Sequence, residues 1–365
     1  MKLLILSSAF GDGHNTAAQN VKEAIEVMSP DGTDIRIHDI FKESYGPIFH
    51  AVQSTYQTAI NRAPSMWSWS FQLLDHTPVL QSQMGIYRRA IKKLTEIIEE
   101  FAPDRVLSTH PGCSHLLDQI YRKRLKRPFQ TYTLILDSLT INSAWLTATT
   151  DRFLVPNLET GSVLSTKGVP ASKVTTTGFP VPRTFTELQP KRVPAPSGNE
   201  RWKVLYMINF QRSKAPDIIK NLLASPRLEV TVTVGDNAKL GARLAGLARK
   251  LRKPLHIVGW TPEMPKLMTS HHVLISKAGG AATQEALAAG LPIVFAHVVP
   301  GQEEGNARWA VNHGAALQSR SSREVPGLVN KIASHEFWLR FHANAERLGT
   351  PAAADRIAEI LLKAE

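Results

Sequence analysis

The sequence predicts an α/β protein of two domains in tandem, each a parallel β-sheet with helices on both faces. Three observations carry this. Short, unbroken apolar runs at residues 2–8 (KLLILSS) and 203–207 (KVLYM) read as buried parallel strands, since a strand covered on both faces needs no polar alternation. Each run opens a series in which further apolar runs alternate with helical spacing. Between the two series lie residues 189–200 (QPKRVPAPSGNE), whose three prolines, glycine and serine continue neither a helix nor a central strand and read as a linker.

The elements follow in order. Behind the first strand, residues 16–28 place Ala17, Ala18, Val21, Ala24, Ile25 and Met28 on one helical side. Residues 35–38 read as a short strand and 86–101 as a longer helix. Strands follow at 105–108 (RVLS), 132–136 (YTLIL) and 152–155 (RFLV). In the second half, strands at 229–234, 256–258, 273–275 and 292–295 alternate with helical patterns. The division is therefore an N-terminal domain over 1–188, the linker 189–200, a C-terminal domain over 201–345 and a terminal helix over 346–365. Ligands of open sheets sit beyond the carboxyl ends of the strands, so two such domains predict a site in the cleft between them.

Composition removes several classes. With 365 residues, 43% hydrophobic and 20% charged, the chain is neither disordered nor collagen-like. The single cysteine, Cys113, excludes an internal disulfide and any multi-cysteine zinc site. The apolar core of the amino terminus, residues 3–6, is shorter than the ~7–15 residues of an export signal. No run reaches the ~18 apolar residues of a spanning helix. A cytoplasmic protein without a membrane anchor of its own is expected. Lys+Arg 43 against Asp+Glu 31 gives a net charge of +12. Residues 1–150 hold 15 basic and 14 acidic side chains, and residues 151–365 the remaining 28 and 17. Such an excess draws phosphate, on a nucleotide or a membrane surface, although solubility alone also uses it.

Three motifs carry chemistry. Gly11-Asp12-Gly13-His14 follows the first strand, where two glycines allow a tight turn and a helix amino terminus offers unpaired N–H groups. His14 is the side chain suited to take a proton near neutral pH. A GxG turn also serves close packing alone. The second motif is SKAGGAATQE at 276–285: Gly279 and Gly280 bare backbone N–H groups at a helix start, as a diphosphate requires, and Thr283 and Glu285 follow on the helix. Glu285 is placed to accept from two ribose hydroxyls; a merely alanine-rich helix capped by Thr283 is the alternative. The third is PGQEEGN at 300–306, where Gln302, Glu303 and Asn306 gather polar groups suited to sugar hydroxyls, or form a solvated acidic loop.

These motifs, with Ser108-Thr109-His110-Pro111 and Gly178-Phe179-Pro180-Val181, make the chain resemble the monogalactosyldiacylglycerol synthase and processive diacylglycerol glucosyltransferase family over nearly its whole length. That family is similar to the peptidoglycan transferase that adds GlcNAc to lipid I. The resemblance implies the GT-B fold, two Rossmann-like domains facing an interdomain cleft. It implies inverting transfer of galactose or glucose from UDP-galactose or UDP-glucose to diacylglycerol, by a cytoplasmic protein peripherally associated with the membrane. The N-terminal domain would take the lipid and the C-terminal domain the UDP-sugar. His14 becomes the acceptor-side histidine or base, beside Gly11 and Gly13, and Asp137 assists it or orients the acceptor. Gly279 and Gly280 meet the diphosphate, Thr283 and Glu285 belong to the nucleotide side, and Gln302, Glu303 and Asn306 to the donor sugar. The sequence departs from the family in two places. Residues 207–214 (MINFQRSK) lack the glycine-rich turn expected there, leaving Arg212 or Lys214 to supply charge, and His271-His272 replaces an aspartate.

The lipid side is read from residues 45–76. There Trp67 and Trp69 suit a headgroup boundary, with core packing as the alternative. Arg88, Arg89, Lys92 and Lys93 form one helical stripe, and 122–127 (RKRLKR) a second basic run, both suited to an anionic membrane surface. Nucleic acid is not expected, because no reading module accompanies these charges. No Asp-x-Asp occurs, so neither an obligatory metal nor any cofactor beyond the co-substrate is expected. The competing readings are GlcNAc transfer to a polyprenyl-linked acceptor, UDP-GlcNAc 2-epimerase, and a non-catalytic protein that binds UDP-sugar or membranes.

Overall fold

The computed structural model describes residues 1–9, 12–49, 51, 53–55, 87–122, 127–301 and 303–363. The chain forms two compact units. The first comprises Met1–Val181, residues 300–301 and the residues from Ala352 on, and the second Pro182–Val299 and Glu303–Pro351.

The first unit holds β1 (Lys2–Ser7), β2 (Asp34–Asp39), β3 (Arg105–Ser108), β4 (Gln130–Leu134), β5 (Arg152–Val155) and β6 (Val174–Thr176). All pair in parallel in the order β2-β1-β3-β4-β5-β6. Leu3, Leu4, Ile5 and Leu6 of β1 have no solvent exposure, as expected of a central strand covered on both faces. The helix Arg88–Phe101 buries Ala90, Leu94, Ile97, Ile98 and Phe101 in a core that includes Leu4, Leu6 and Val106. After β2 the chain crosses to the other side of β1 to form β3. That reversal is the topological switch point, beyond whose strand ends an open sheet of this kind offers its ligand crevice.

The second unit holds β7 (Trp202–Met207), β8 (Leu228–Thr233), β9 (His256–Val258), β10 (Val273–Lys277), β11 (Ile293–His297) and β12 (Ala316–Gln318). They too are parallel, in the order β12-β11-β10-β7-β8-β9, with the reversal between β7 and β10. Val204, Val230, Val232, Val273, Ile275 and Val294 of these strands share one apolar core.

Several boundaries differ from the expectation. The helix after β1 begins at Asp12, not at 16, so Gly13 and His14 stand in its first turn. First-turn N–H groups have no intrahelical partner in any case, so a glycine there costs little. The segment 189–200 is not a free linker but is fastened to the second unit. Val193 N–H donates to Thr269 O at 3.0 Å, His272 Nε2–H to Pro194 O at 2.9 Å, and Arg192 to Ala288 O at 2.6 Å. Arg192 also pairs with Glu346. Prolines cannot donate, but the Pro194 carbonyl accepts while its non-proline neighbours Arg192 and Val193 donate, so the strap tolerates them.

The carboxyl terminus is two helices. His335–Leu348 belongs to the second unit and Ala353–Leu362 to the first, where it lies against the helix Asp12–Met28. The break falls at Gly349, where a side chain would strike Leu287 O at 2.3 Å. The buried Arg105 holds the returning helix, donating to Leu361 O and, at 2.5 Å, to Lys363 O. Hydrogen bonds from a charged donor contribute about 1.5–3 kcal/mol each. Arg105→Ala is therefore expected to lower the unfolding free energy by about 2 kcal/mol or more, read from the shift of the urea midpoint.

Candidate functional site

In the first unit, the loops leaving β1 and β3 meet at the switch point. His14 Nδ1 lies 2.5 Å from Thr109 O. A carbonyl only accepts, so Nδ1 carries the proton. Burial holds His14 below its ordinary value of 6.5, with the Thr109 hydrogen bond opposing in part. The neutral ring then presents its lone pair at Nε2, the form a general base needs. Asp39, at the end of β2, supports this corner by accepting from Ala9 N–H at 2.9 Å and Lys42 N–H at 3.1 Å.

Sequence reasoning missed the aromatic surroundings. The His110 ring lies 4.9 Å from that of His14, edge to face, and Trp145 lies 6.1 Å away. His110 Nδ1 accepts from Gly112 N–H at 3.1 Å, which caps the helix Pro111–Tyr121 and puts the proton of His110 on Nε2. Burial holds His110 well below 6.5. His115 Nε2–H donates to Ala144 O at 3.0 Å and so fixes the turn Ser143–Trp145 that carries Trp145. The histidine of the STHP string was the available signal. Asp137 stands three residues past β4 and is half-buried, but the carbonyl of Thr109 is what orients His14 Nδ1.

In the second unit, the loops after β7, β10 and β11 lie at or beside the other switch point. Gly279 caps the helix Gly280–Ala288 with no side-chain hydrogen bond, leaving first-turn N–H groups for a ligand. A side chain at 279 would come within 3.3 Å of Lys277 Nζ and 3.6 Å of Glu303 Oε1, so the turn lies directly against an ion pair between those two residues. Glu303 also accepts from Val299 N–H at 3.2 Å. Asn306 is buried, and its amide donates to Ala278 O at 3.3 Å, fixing the backbone just before the glycines. Thr283 has no exposure, and its Oγ1 has no partner among the described residues. Glu285 is half-buried, and burial alone pushes its carboxyl up to about 7. A carboxylate raised by burial, with no charge set against that burial, is one that a ligand's hydroxyls can complete.

After β7, Gln211 takes the left-handed conformation with φ 42°, at about 1–2 kcal/mol for a residue with a side chain. The exposed Arg212 and Lys214 follow in a short 3-10 turn. His271 and His272, at the aspartate's place, are structural. His271 hydrogen-bonds Leu267 O at 2.6 Å and Thr231 Oγ1 at 2.9 Å. His272 accepts from Lys203 N–H at 2.8 Å between the rings of Trp202 and Trp338.

Arg88, Arg89, Lys92 and Lys93 lie away from the buried face of their helix, the first three of them exposed. Gly11, Trp67, Trp69, Gln302 and most of the run 122–127 lie outside the described residues. Among the described residues no helix is long and apolar enough to cross a membrane, and no group of three or more metal-ligating side chains is gathered.

Two Rossmann-type parallel sheets, one with His14 and the other with a glycine-opened helix at its switch point, define the GT-B class. Solved structures agree on that fold. MurG of Acinetobacter baumannii superimposes with a TM-score of 0.65 at 13% identity, covering 100% of both chains. The UDP-GlcNAc 2-epimerase of Neisseria meningitidis does so with 0.63 at 17% identity, also covering 100% of both. Residues 14–181 match the family model for monogalactosyldiacylglycerol (MGDG) synthase, and residues 208–337 that for the glycosyltransferase family 28 C-terminal domain. Among curated relatives, monogalactosyldiacylglycerol synthase 3 of Arabidopsis thaliana is 27% identical over 96% of this chain and 78% of that protein. The processive diacylglycerol beta-glucosyltransferase of Bacillus subtilis is 23% identical over 99% and 95%. The chain belongs to the monogalactosyldiacylglycerol synthase family of glycosyltransferases.

Proposed function

We propose that the protein moves a hexose, galactose or glucose, from a UDP-sugar to the free hydroxyl of diacylglycerol, with inversion, at an anionic membrane surface. Family membership supports the acceptor class. The observation that carries the chemistry is His14, held neutral with its proton on Nδ1 and its lone pair on Nε2. The lipid hydroxyl gives its proton to Nε2, directly or through water, as its oxygen attacks the anomeric carbon. The bond to UDP breaks on the opposite face through a transition state with oxocarbenium character. Charge appearing on the diphosphate is met by the N–H groups behind Gly279 and Gly280. Glu285 accepts from the ribose hydroxyls, while Thr283, Gln302, Glu303, Asn306 and Arg212 complete the donor side. Asp137 and Gly13 belong to the acceptor side. Arg88, Arg89, Lys92 and Lys93 hold the protein reversibly to anionic lipid at roughly 1 kcal/mol each. The protein acts at the cytoplasmic face as a peripheral enzyme and takes no nucleic acid.

The experiment is to incubate the purified protein with vesicles of diacylglycerol and anionic lipid, offering UDP-galactose and UDP-glucose separately, and to examine the lipid extract by mass spectrometry. A hexosyl-diacylglycerol from one donor supports the reading and names the sugar. Measurable UDP binding without any hexosyl lipid would contradict the acceptor. The likeness to 2-epimerases is one of fold; conversion of UDP-GlcNAc in solution without vesicles would favour that activity.

A further inference from the structure

The turn after β7 is where the chain departs from its family, and the side chains around it form a group of their own. Phe210 is buried, and its ring lies 5.6 Å from that of His297. His297 ends β11. In the ladder it pairs with Lys277 of β10, and its carbonyl accepts from Ala278 N–H at 3.1 Å, so it stands beside the start of the Gly279–Gly280 turn. Its Nε2 is shut off from solvent and has no hydrogen-bond partner among the described residues. A buried nitrogen left without a partner weakens a fold unless something else completes it. Burial, and then the charge of Lys214, lower the imidazole to about 4, so it is neutral at pH 7 within the field of that lysine.

Resting on the UDP-sugar reading above, we propose that His297 and Lys214 bind the donor's diphosphate and take the place of the absent glycine turn. Two requirements meet in that ligand. A phosphate oxygen gives the orphaned Nε2 an acceptor, and the negative charge complements Lys214. Lys277 is already paired with Glu303. A neutral sugar hydroxyl would satisfy the nitrogen and leave the lysine charge unmet. Backbone N–H groups of a glycine turn would have done the same work without side chains. The left-handed Gln211 turns the chain just ahead of Lys214.

The test is calorimetric titration of the full chain with uridine and with UDP, for wild type, His297→Phe, His297→Gln and Lys214→Gln. His297→Phe and Lys214→Gln are each expected to weaken UDP binding about 10-fold or more and to leave uridine binding unchanged. His297→Gln keeps a nitrogen donor at similar reach and should retain most of the UDP affinity. Lys214 is on an exposed turn, so its variant reports even if a change at His297 prevents folding. Unchanged UDP affinity in Lys214→Gln and His297→Phe would overturn the proposal, as would a loss shared equally by uridine, which marks a packing role. Wild-type protein that binds neither uridine nor UDP would overturn the donor reading itself.

Discussion

Replacing His14 by alanine is expected to lower kcat by about 100- to 10,000-fold, the contribution of a positioned general base. UDP affinity should stay within about twofold, because His14 and the glycine-opened helix proposed to hold the diphosphate lie on different units. Two structural facts make this sharp. The Thr109 carbonyl fixes the tautomer, and burial lowers the ring below 6.5, so at pH 7 the neutral form that accepts a proton predominates. Turnover by single-time-point lipid extraction and UDP binding by calorimetry, on the same preparation, check the split. Loss of UDP binding alongside turnover would remove His14 from the role of base.

Glu285→Gln is expected to act in two opposite directions. A carboxyl raised from 4.5 to about 7 binds its proton more tightly in the folded state than in the unfolded one. The penalty is therefore absent below pH 4.5, grows as pH rises through the window from 4.5 to 7, and is complete above it. A tenfold change in proton affinity is worth about 1.4 kcal/mol, so the penalty reaches about 3 kcal/mol at most. The glutamine variant escapes it, so its melting temperature should exceed that of wild type at pH 8 and match it near pH 4.5. Nucleotide binding should change the other way. The ribose hydroxyls lose a charged acceptor, and UDP affinity falls about 10- to 100-fold. Wild-type UDP affinity should also rise with pH through 7, while that of the variant stays flat. A variant that is stabilised yet binds UDP as well as wild type would show that Glu285 does not meet the ribose. Such a residue trades stability for a site, as functional carboxyls commonly do.

Much of this was legible in the sequence for a simple reason. Strands such as β1 and β7 are buried on both faces and so are written as continuous apolar runs, and glycines directly follow β1. The edge strands β6 and β12 escaped because each is three residues long with little or no buried apolar face. The run at 132–136 marked a strand two residues late, since Ile135 and Leu136 stay buried after the ladder has ended at Leu134. The glycine motifs named one loop in each unit, but not what stands around them. That Thr109, through its backbone, selects the tautomer of His14 leaves no trace in residue identity. The ion pair of Lys277 with Glu303 joins residues 26 apart and could be read only once β10 and β11 were seen side by side. The proline-rich segment was misleading for a related reason: prolines exclude regular elements, yet their carbonyls still tie a strap to its neighbour.

The proposed transfer depends on neutral His14 taking the acceptor's proton. The pH dependence of kcat with diacylglycerol vesicles and saturating UDP-sugar tests this most directly. A single acid limb is expected, with its midpoint below 6.5 and a plateau through neutral pH, because only the neutral ring accepts and burial keeps it neutral. A midpoint at or above 6.5, or a rate that rises as the pH falls, would contradict it.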